Sequence, residues 1–382
     1  MRVPRSCAYL RRILWRRIAV DARFVALPGI ALRGMGQAFR SETIMSRARF
    51  CSAVLFLLFA TALLAPSAHA LTSYCVGNVA EFALAVDRAE SDNDDSRINV
   101  RSGSYHLVND LYYYAPAPGS RIREGFLIIE GGYGLHCSTR TNDARSTVFT
   151  GDGHQTLRLN PTSGSVWLRS LSFDGVSTAI FAPSLGDACP VPGLVFDATR
   201  VRMDNGMMRF ISKCHDVTLR DSLLVNGYAN DFHYTYDTAL DVDLRLEDDV
   251  ADPATLTMIN VTVAEGYTNL MSCCDRSGIA YLYNSIFRRD GVDLRAAGVN
   301  VYARNNRYDQ ITFVDASLVI GSSNNTTADP DLDLHYRPNS GSPMVNSGTS
   351  NVPNGLSLMD LYAGTRVVGA AVDRGALEFG GR

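Results

Sequence analysis

The feature that most constrains the fold is a short pattern that recurs through the middle of the chain. In each copy an apolar residue stands first and sixth, and a small or polar residue usually stands third. The copies are residues 168–173, 196–201, 219–224, 258–263, 282–287 and 303–308, which begin 28, 23, 39, 24 and 21 residues apart. Short strands at such a period, with little helical periodicity, are typical of a solenoid. We therefore predict one all-β domain, a parallel β-helix over residues 71–325.

The third position of the pattern predicts a sharp bend between two strands of one coil. Its occupants are Ser170, Ala198, Asp221, Asn260, Asn284 and Asn305. Stacked coils lie about 4.8 Å apart, so that asparagine side chains above one another can form hydrogen bonds along the stack. We interpret these residues as structural and propose none of them as catalytic.

Each end of the predicted solenoid carries a segment that we expect to cap it. Near the N-terminus, Val79, Phe82 and Val86 recur at helical spacing, with Ala83 beside them. Asn78 and Glu81 have the spacing of a capping box at the start of that helix. At the other end we assign residues 326–382 to a C-terminal capping module.

The first 70 residues predict export. A basic segment at 46–49 precedes an apolar run at 50–65, and the small-x-small sequence at 68–70 follows. This order is typical of a secretory signal peptide, which we place at 45–70 with cleavage after Ala70. The run is shorter than the ~20 residues of a membrane helix, so we expect no stable membrane span after cleavage. Residues 1–44 are arginine-rich, and we interpret them as an upstream extension from a start codon assigned too early, with the natural start at Met45. We expect a secreted or periplasmic protein.

The charge of the predicted mature chain argues against one class of partner. The full chain has 36 basic and 39 acidic residues, and 11 arginines and two acidic residues precede position 71. That leaves 25 basic and 37 acidic residues, which disfavours nucleic acid, because such binding depends on Lys and Arg neutralising phosphates. Attraction to acidic polysaccharides is disfavoured too, unless one local basic groove overrides the net charge.

Six cysteines remain after the predicted cleavage, an even number that favours disulfides in an exported chain. We expect Cys75 to pair with Cys137 and Cys189 to pair with Cys214. The spacings match no zinc pattern.

Two stretches resemble secreted bacterial right-handed β-helix repeat proteins of the pectin-lyase-like superfamily. They are 127–133 (Leu-Ile-Ile-Glu-Gly-Gly-Tyr), with 137–140 and 147–151, and the C-terminal motifs at 341–348 and 372–378. Asn346 stands where the family usually has Asp, and Arg374 where it has an apolar residue, which argues against a metal site there. The resemblance implies a right-handed β-helix and no particular activity, because one fold serves many functions.

The outward positions of the repeated strands are the candidate ligand-binding residues. They include Trp167, Arg169, Tyr281, Tyr283, Tyr302 and Arg304. Aromatic rings beside arginines on a flat β surface can stack on sugars and bind their hydroxyls or carboxylates. Packing alone also favours aromatic residues in strands.

Catalytic candidates are sparse. A lyase acting on a uronate needs a base and a cation near the sugar carboxylate, and Arg220, Lys213 and His215 are suitable types. Residues 213–216 also fall between two strands, where a polar turn is needed anyway. We leave open whether the chain is an enzyme, and we favour a function without catalysis.

An insertion in the longest repeat interval contains a candidate cation site. Asp241, Asp243, Asp248 and Asp249 could bind calcium through oxygen ligands. No known calcium-loop spacing is present, so we favour a solvated charged face and expect no cofactor to be required.

Three functions fit these features. The first is an exported protein that binds polysaccharide or a cell-surface glycan, or that presents an extended surface at the cell envelope. The second is a polysaccharide lyase or glycoside hydrolase acting on a uronate-containing polymer. The third is a structural passenger or adhesin stalk.

Overall fold

The computed structural model describes residues 71–92, 95–114, 126–161, 164–181, 195–212, 216–227, 238–244, 254–272, 278–289, 293–314 and 317–381. The chain divides into the units Met1–Ala68 and His69–Arg382, and all described residues belong to the second. The predicted extension and signal peptide lie outside the described residues. So do Cys189, Lys213, Cys214, His215, Asp248, Asp249, Cys273 and Cys274.

The elements follow in chain order. The strands are β1 Thr72–Val76, β2 Ser96–Arg101, β3 Gly103–His106, β4 Leu111–Tyr114, β5 Phe126–Tyr133, β6 Thr147–Asn160, β7 Ser165–Phe181, β8 Val195–Asp204, β9 Met208–Ser212, β10 Asp216–Arg220, β11 Leu223–Val225, β12 Thr238–Leu244, β13 Thr255–Ile259, β14 Thr262–Ala264, β15 Tyr267–Met271, β16 Gly278–Tyr283, β17 Ile286–Arg288, β18 Leu294–Ala297, β19 Val299–Arg304, β20 Ile311–Val314 and β21 Val319–Ser323. The α-helix α1 is Val79–Asp92, and a 3₁₀ turn spans Ala144–Ser146.

These strands form the predicted right-handed parallel β-helix. Successive coils pair in parallel, and each coil contributes to three faces. In the middle of the stack the first face contains β10, β13 and β16, the second contains β11, β14 and β17, and the third contains β12, β15 and β18. One inward ladder on the first face runs Leu127, Val166, Phe196, Val217, Leu256, Ala280 and Val301. Every member is at most 1% exposed, because alternate side chains of a strand point to the same side. The apolar alternation of the sequence therefore builds one continuous core.

The bend after the first face is a left-handed residue in coil after coil. The positive φ angles belong to Ser170, Arg200, Asp221, Asn260, Asn284, Asn305 and Asn324. Asparagine and aspartate tolerate this conformation better than other residues with a side chain. The predicted stacking is present, since Asn284 Nδ2 donates to Asn260 Oδ1 at 3.0 Å and Asn260 Nδ2 donates to Asp221 Oδ1 at 3.1 Å.

One bend was predicted at the wrong residue. Val166 pairs with Phe196 and Leu168 pairs with Ala198, so Ala198 lies inside the strand. Arg200, with φ 56°, occupies the bend. The predicted alignment of this copy is therefore two residues out of register.

The predicted N-terminal capping helix is present. Asn78 Oδ1 accepts the Glu81 amide at 2.9 Å, and Glu81 Oε2 accepts the Gly77 amide at 2.7 Å. The first bond satisfies one of the amides that a helix start leaves unpaired, and the second ties the Glu81 carboxylate to the residue before Asn78. The helix buries Phe82 and Val86 against the first coils and so covers that end of the core.

The C-terminal segment, residues 326–381, runs back along the bends. Arg374 donates to the carbonyl oxygens of Asn306 and Asn324 at 2.9 and 3.0 Å. Farther along, Ala376 N donates to Thr262 Oγ1 at 3.0 Å, and the Ala144 amide donates to Leu361 O at 3.2 Å. The segment thus lies beside the stack from the last coil back to the second.

Candidate functional site: an arginine cluster on the first face

The outward side chains of the first face form two ladders. One runs Arg97, Ile128, Trp167, Asp197, Thr218, Thr257, Tyr281 and Tyr302, and the other runs Asn99, Glu130, Arg169, Thr199, Arg220, Ile259, Tyr283 and Arg304. Four coil spacings separate Trp167 from Tyr281, which is roughly 19 Å. The predicted ligand-binding residues therefore share one face but divide into two groups.

The first group is centred on a carboxylate that the sequence-based prediction missed. Glu130 is 3% exposed and accepts a hydrogen bond from Tyr133 Oη at 2.8 Å. Guanidinium nitrogens of Arg169, Arg140 and Arg97 stand 3.2, 3.5 and 4.0 Å from its oxygens. Burial acts to raise the pKa of Glu130, but the three arginines and the tyrosine together hold that pKa below its usual value. Glu130 is therefore the anionic centre of this group.

A fourth arginine joins this group through a shared hydroxyl. Ser170 Oγ accepts from Arg140 at 3.2 Å and from Arg200 at 3.3 Å. Burial lowers the pKa of Arg200, and the nearby charges of Arg140 and Arg169 act in the same direction. Four like charges thus lie close together. We call Arg97, Arg140, Arg169 and Arg200 the arginine cluster.

A tight loop brings Arg140 over Glu130. The Thr141 amide donates to the Gly132 carbonyl at 2.8 Å, which folds the chain back on β5. Gly132 has φ +84°, and a Cβ there would stand 2.1 Å from the Thr141 carbonyl oxygen. The predicted Cys75–Cys137 disulfide is present and ties this loop to β1. Glycine and the disulfide together position Arg140.

The charges of the cluster are only partly balanced. Glu130 and Asp197 are the carboxylates on the neighbouring rungs, and burial raises the pKa of Asp197 despite a hydrogen bond from Thr199 at 2.7 Å. Four guanidinium groups therefore face three carboxylates, since Asp221 acts on Arg200, and Asp221 is itself shared with Arg366. Arg97 and Arg169 keep about a third of their side-chain surface exposed, and Trp167 is partly exposed beside them. The arrangement can bind a carboxylate and stack on a sugar ring.

The second group is less open. Tyr281 and Tyr302 have ring centroids 6.0 Å apart on adjacent coils, and Tyr302 is 37% exposed. Tyr283 is 9% exposed because it packs against Ile259 and Val352. Tyr281 and Tyr302, with the partly exposed Arg304, remain as a small aromatic surface.

Of the three catalytic candidates, the described part of the chain contains Arg220 alone. Arg220 donates to the carbonyl oxygens of Gly355 and Pro353 at 2.6 and 3.1 Å. These bonds anchor the C-terminal segment to the first face. Lys213 and His215 lie outside the described residues.

Strand β12, in the insertion, does not have the solvated charged face that we expected from its sequence. Asp241 and Asp243 are 0% and 6% exposed, so the charged side of this strand is buried and not solvated. Asp241 pairs with Arg209 at 3.1 Å and accepts from Asn269 at 2.8 Å, one coil away on either side. Within the described part of the chain, no three His, Cys, Asp or Glu side chains are grouped so that they could hold a metal ion.

Comparison with known proteins finds no counterpart. No family model, no curated protein and no solved structure matches the chain. Among the described residues, no helix has the length and hydropathy that a membrane span requires.

Proposed function

We propose that this chain is an exported β-helix protein that binds an acidic, uronate-containing polysaccharide at the arginine cluster. The observation that carries the proposal is the convergence of three arginines on Glu130, with Arg200 joined to them through Ser170 and Trp167 on the adjacent ladder. Arginine matches the planar geometry of a carboxylate with two parallel hydrogen bonds. An aromatic ring beside it offers the apolar surface on which a sugar can stack.

The arginine cluster is positively charged although the chain as a whole is acidic. The chain has a formal net charge of −3, and removal of the predicted signal region makes it more acidic. A positive patch in such a chain is a local feature, and local fields concentrate ligands of opposite charge. The cluster is the local basic surface through which an acidic protein can bind a polyanion.

The two groups of the first face suit an extended ligand. They lie on the same ladders, roughly 19 Å apart along the stack. We infer that a polymer lies along the ladder from Trp167 to Tyr302, with charged units at the arginine cluster and a ring stacked on Tyr281 or Tyr302. The other ladder is covered between the two groups, because the C-terminal segment packs on Arg220, Ile259 and Tyr283. Binding of a long chain is then tighter than binding of one unit, because the second contact becomes intramolecular.

Export and family are part of the same proposal. The predicted signal peptide and the Cys75–Cys137 disulfide support an oxidising compartment outside the cytoplasm. The resemblance to secreted bacterial β-helix proteins supports membership of the pectin-lyase-like superfamily, and the parallel β-helix agrees with it. Glu130 and Tyr133 belong to the stretch that carries this resemblance.

The test is binding of the chain from residue 71 onward to polygalacturonate, alginate and neutral dextran, measured by titration calorimetry. We expect binding to an acidic polymer that weakens with salt, and none to dextran. Arg169→Ala removes one charge-assisted hydrogen-bonding group, worth about 1.5–3 kcal/mol, so affinity should fall at least about tenfold.

The matched control is Arg295→Ala, which removes an exposed arginine from the third face. It should bind as the unaltered protein does. Equal losses in the two variants, or no binding to either acidic polymer, would refute the proposal. Absorbance of unsaturated product in the same mixtures tests the lyase alternative, and product that disappears in Arg220→Ala would establish an enzyme instead.

A further inference from the structure

A cavity of about 220 Å³ opens on the third face, near the helix-capped end of the stack. It forms because a small residue stands between two long ones on an outward ladder. That ladder runs Tyr112, Arg158, Ala179 and Arg209 on four successive coils. The two arginines are therefore two coil spacings apart, roughly 10 Å, and Ala179 lines the cavity between them.

Each of these arginines lies beside an aromatic ring. The guanidinium carbon of Arg158 is 5.6 Å from the ring centre of Tyr112, and that of Arg209 is 5.9 Å from the ring centre of Phe181. Tyr112 in turn stacks on Tyr114, with ring centres 5.9 Å apart and ring planes 8° apart. Because a cation is attracted to the face of an aromatic ring, these contacts hold the two guanidinium groups at the walls of the cavity.

Arg158 supplies the charge that is available to a ligand. It is exposed, and among the described residues it belongs to no ion pair. Asp110, which also lines the cavity, accepts hydrogen bonds from Tyr112 Oη and from a backbone amide of β6, each at 2.8 Å. Arg209 is paired with Asp241 at 3.1 Å. The neighbouring carboxylates are thus engaged, while one guanidinium group stays exposed at the wall.

A hydroxyl group and an apolar ring complete the lining, from Ser177 and Phe181. Ser177 Oγ accepts the Met207 amide at 3.1 Å, so its own O–H can donate to a ligand. A guanidinium, a hydroxyl and an apolar wall match the carboxylate, hydroxyls and carbon face of a uronate. The cavity is smaller than the roughly 300–1,000 Å³ of pockets that hold drug-sized molecules. It therefore suits one sugar unit.

We propose that this cavity is a second binding site for one uronate unit, whose carboxylate binds Arg158 and whose ring packs on Phe181. The inference rests on the proposed function for the class of ligand alone, because the cavity shares no residue with the arginine cluster. The cluster lies on the first face and the cavity on the third. The protein therefore has two sites that face in different directions, and it can link two polysaccharide chains.

Titration calorimetry with a trimer of galacturonate counts the sites on the chain from residue 71 onward. We expect two molecules of trimer to bind per protein. Arg158→Gln removes the exposed charge and Ala179→Leu fills the cavity, so each variant should bind only one. Arg158 is exposed and Ala179 points away from the core, so both variants should fold, which circular dichroism can verify.

Tryptophan fluorescence separates the two sites. Trp167 is the only tryptophan after residue 70 and lies on the first face, so its fluorescence reports occupation of the arginine cluster. In Arg158→Gln the fluorescence titration should stay unchanged while calorimetry loses one site. The matched control is Arg295→Ala, an exposed arginine three coils beyond Arg209 on the same ladder, which should keep both sites.

The outcomes distinguish this proposal from the proposed function. A single site in the unaltered protein, or two sites that persist in both Arg158→Gln and Ala179→Leu, would overturn the second site and leave the arginine cluster standing. Loss of a site in Arg158→Gln, with no change of Trp167 fluorescence on binding and no effect of Arg169→Ala, would support the cavity and contradict the arginine cluster.

Discussion

Arg366 is the buried charge that joins the C-terminal segment to the β-helix. It is 1% exposed and donates to Asp221 Oδ1 at 2.7 Å and to Glu378 Oε1 at 3.2 Å. It also donates to the carbonyl oxygens of Gly375 and Ala376 at 3.1 and 2.8 Å. Asp221 belongs to the bend ladder, while Glu378 belongs to the last segment of the chain. One guanidinium group therefore connects the two.

We predict that Arg366→Met strongly destabilises the fold. Methionine fills much of the volume but leaves the fully buried Asp221 carboxylate without its counter-ion. Breaking a buried ion pair by removing one partner costs about 3–5 kcal/mol. The unpaired carbonyls add to this loss, though such contributions are not additive. We expect a decrease of about 4 kcal/mol in the free energy of unfolding, a large part of the 5–15 kcal/mol typical of a domain.

Urea denaturation at pH 7 measures this loss, and a second substitution tests its cause. Asp221→Asn should recover at least about 2 kcal/mol in the Arg366→Met background, because it removes the uncompensated charge. The control is Arg145→Met, which breaks a partly exposed pair with Asp143 and a cation–π contact with Tyr362 and should cost at most about 2 kcal/mol. A loss below about 1 kcal/mol in Arg366→Met, or no recovery on adding Asp221→Asn, would refute the reasoning.

Two further predictions concern the same region. Burial raises the pKa of Glu378 from 4.5 to about 7, so its contribution to stability is present below pH 4.5 and is lost as the pH rises to 7. That loss amounts to about 3 kcal/mol. Glu378→Gln should remove this pH dependence from the free energy of unfolding measured between pH 4.5 and 7. A pH profile that Glu378→Gln leaves unchanged would contradict the prediction. Asn284→Ala should lower the free energy of unfolding, measured by urea denaturation, by about 3 kcal/mol. The substitution removes hydrogen bonds to Asn260 and Thr349 and puts alanine at φ 50°. Asn324→Ala, at an exposed bend with φ 54°, measures the cost of placing alanine at a positive φ by itself. Equal losses of stability in the two variants would show that the side-chain hydrogen bonds of Asn284 contribute nothing.

Features set by local pattern were predictable from the sequence. Inward apolar positions alternate along each strand, so the repeat indicates the β-helix without any knowledge of its coils. Asn260 and Asn284 stand at their predicted bends because asparagine tolerates the left-handed conformation. The capping helix follows from Asn78 and Glu81, whose spacing is itself a local signal.

Register was not predictable in the same way. Phe196 and Ala198 both point inward, and a shift of two residues leaves every inward side chain pointing inward. The apolar pattern therefore cannot distinguish Ala198 from Arg200 as the bend residue. Only the pairing of Val166 with Phe196 decides it.

Charge partners depend on tertiary structure for a related reason. Arg97, Glu130 and Arg169 are separated by more than 30 residues along the chain but lie one coil apart on the first face. Asp241 alternates with apolar residues as a solvated residue would, yet Arg209 from the preceding coil covers it. Sequence determines which side of a strand a residue faces, because that follows from the two-residue period of the strand. The stacking of coils that are distant in sequence decides which charges meet. The arginine cluster forms through that stacking and is not visible in the sequence.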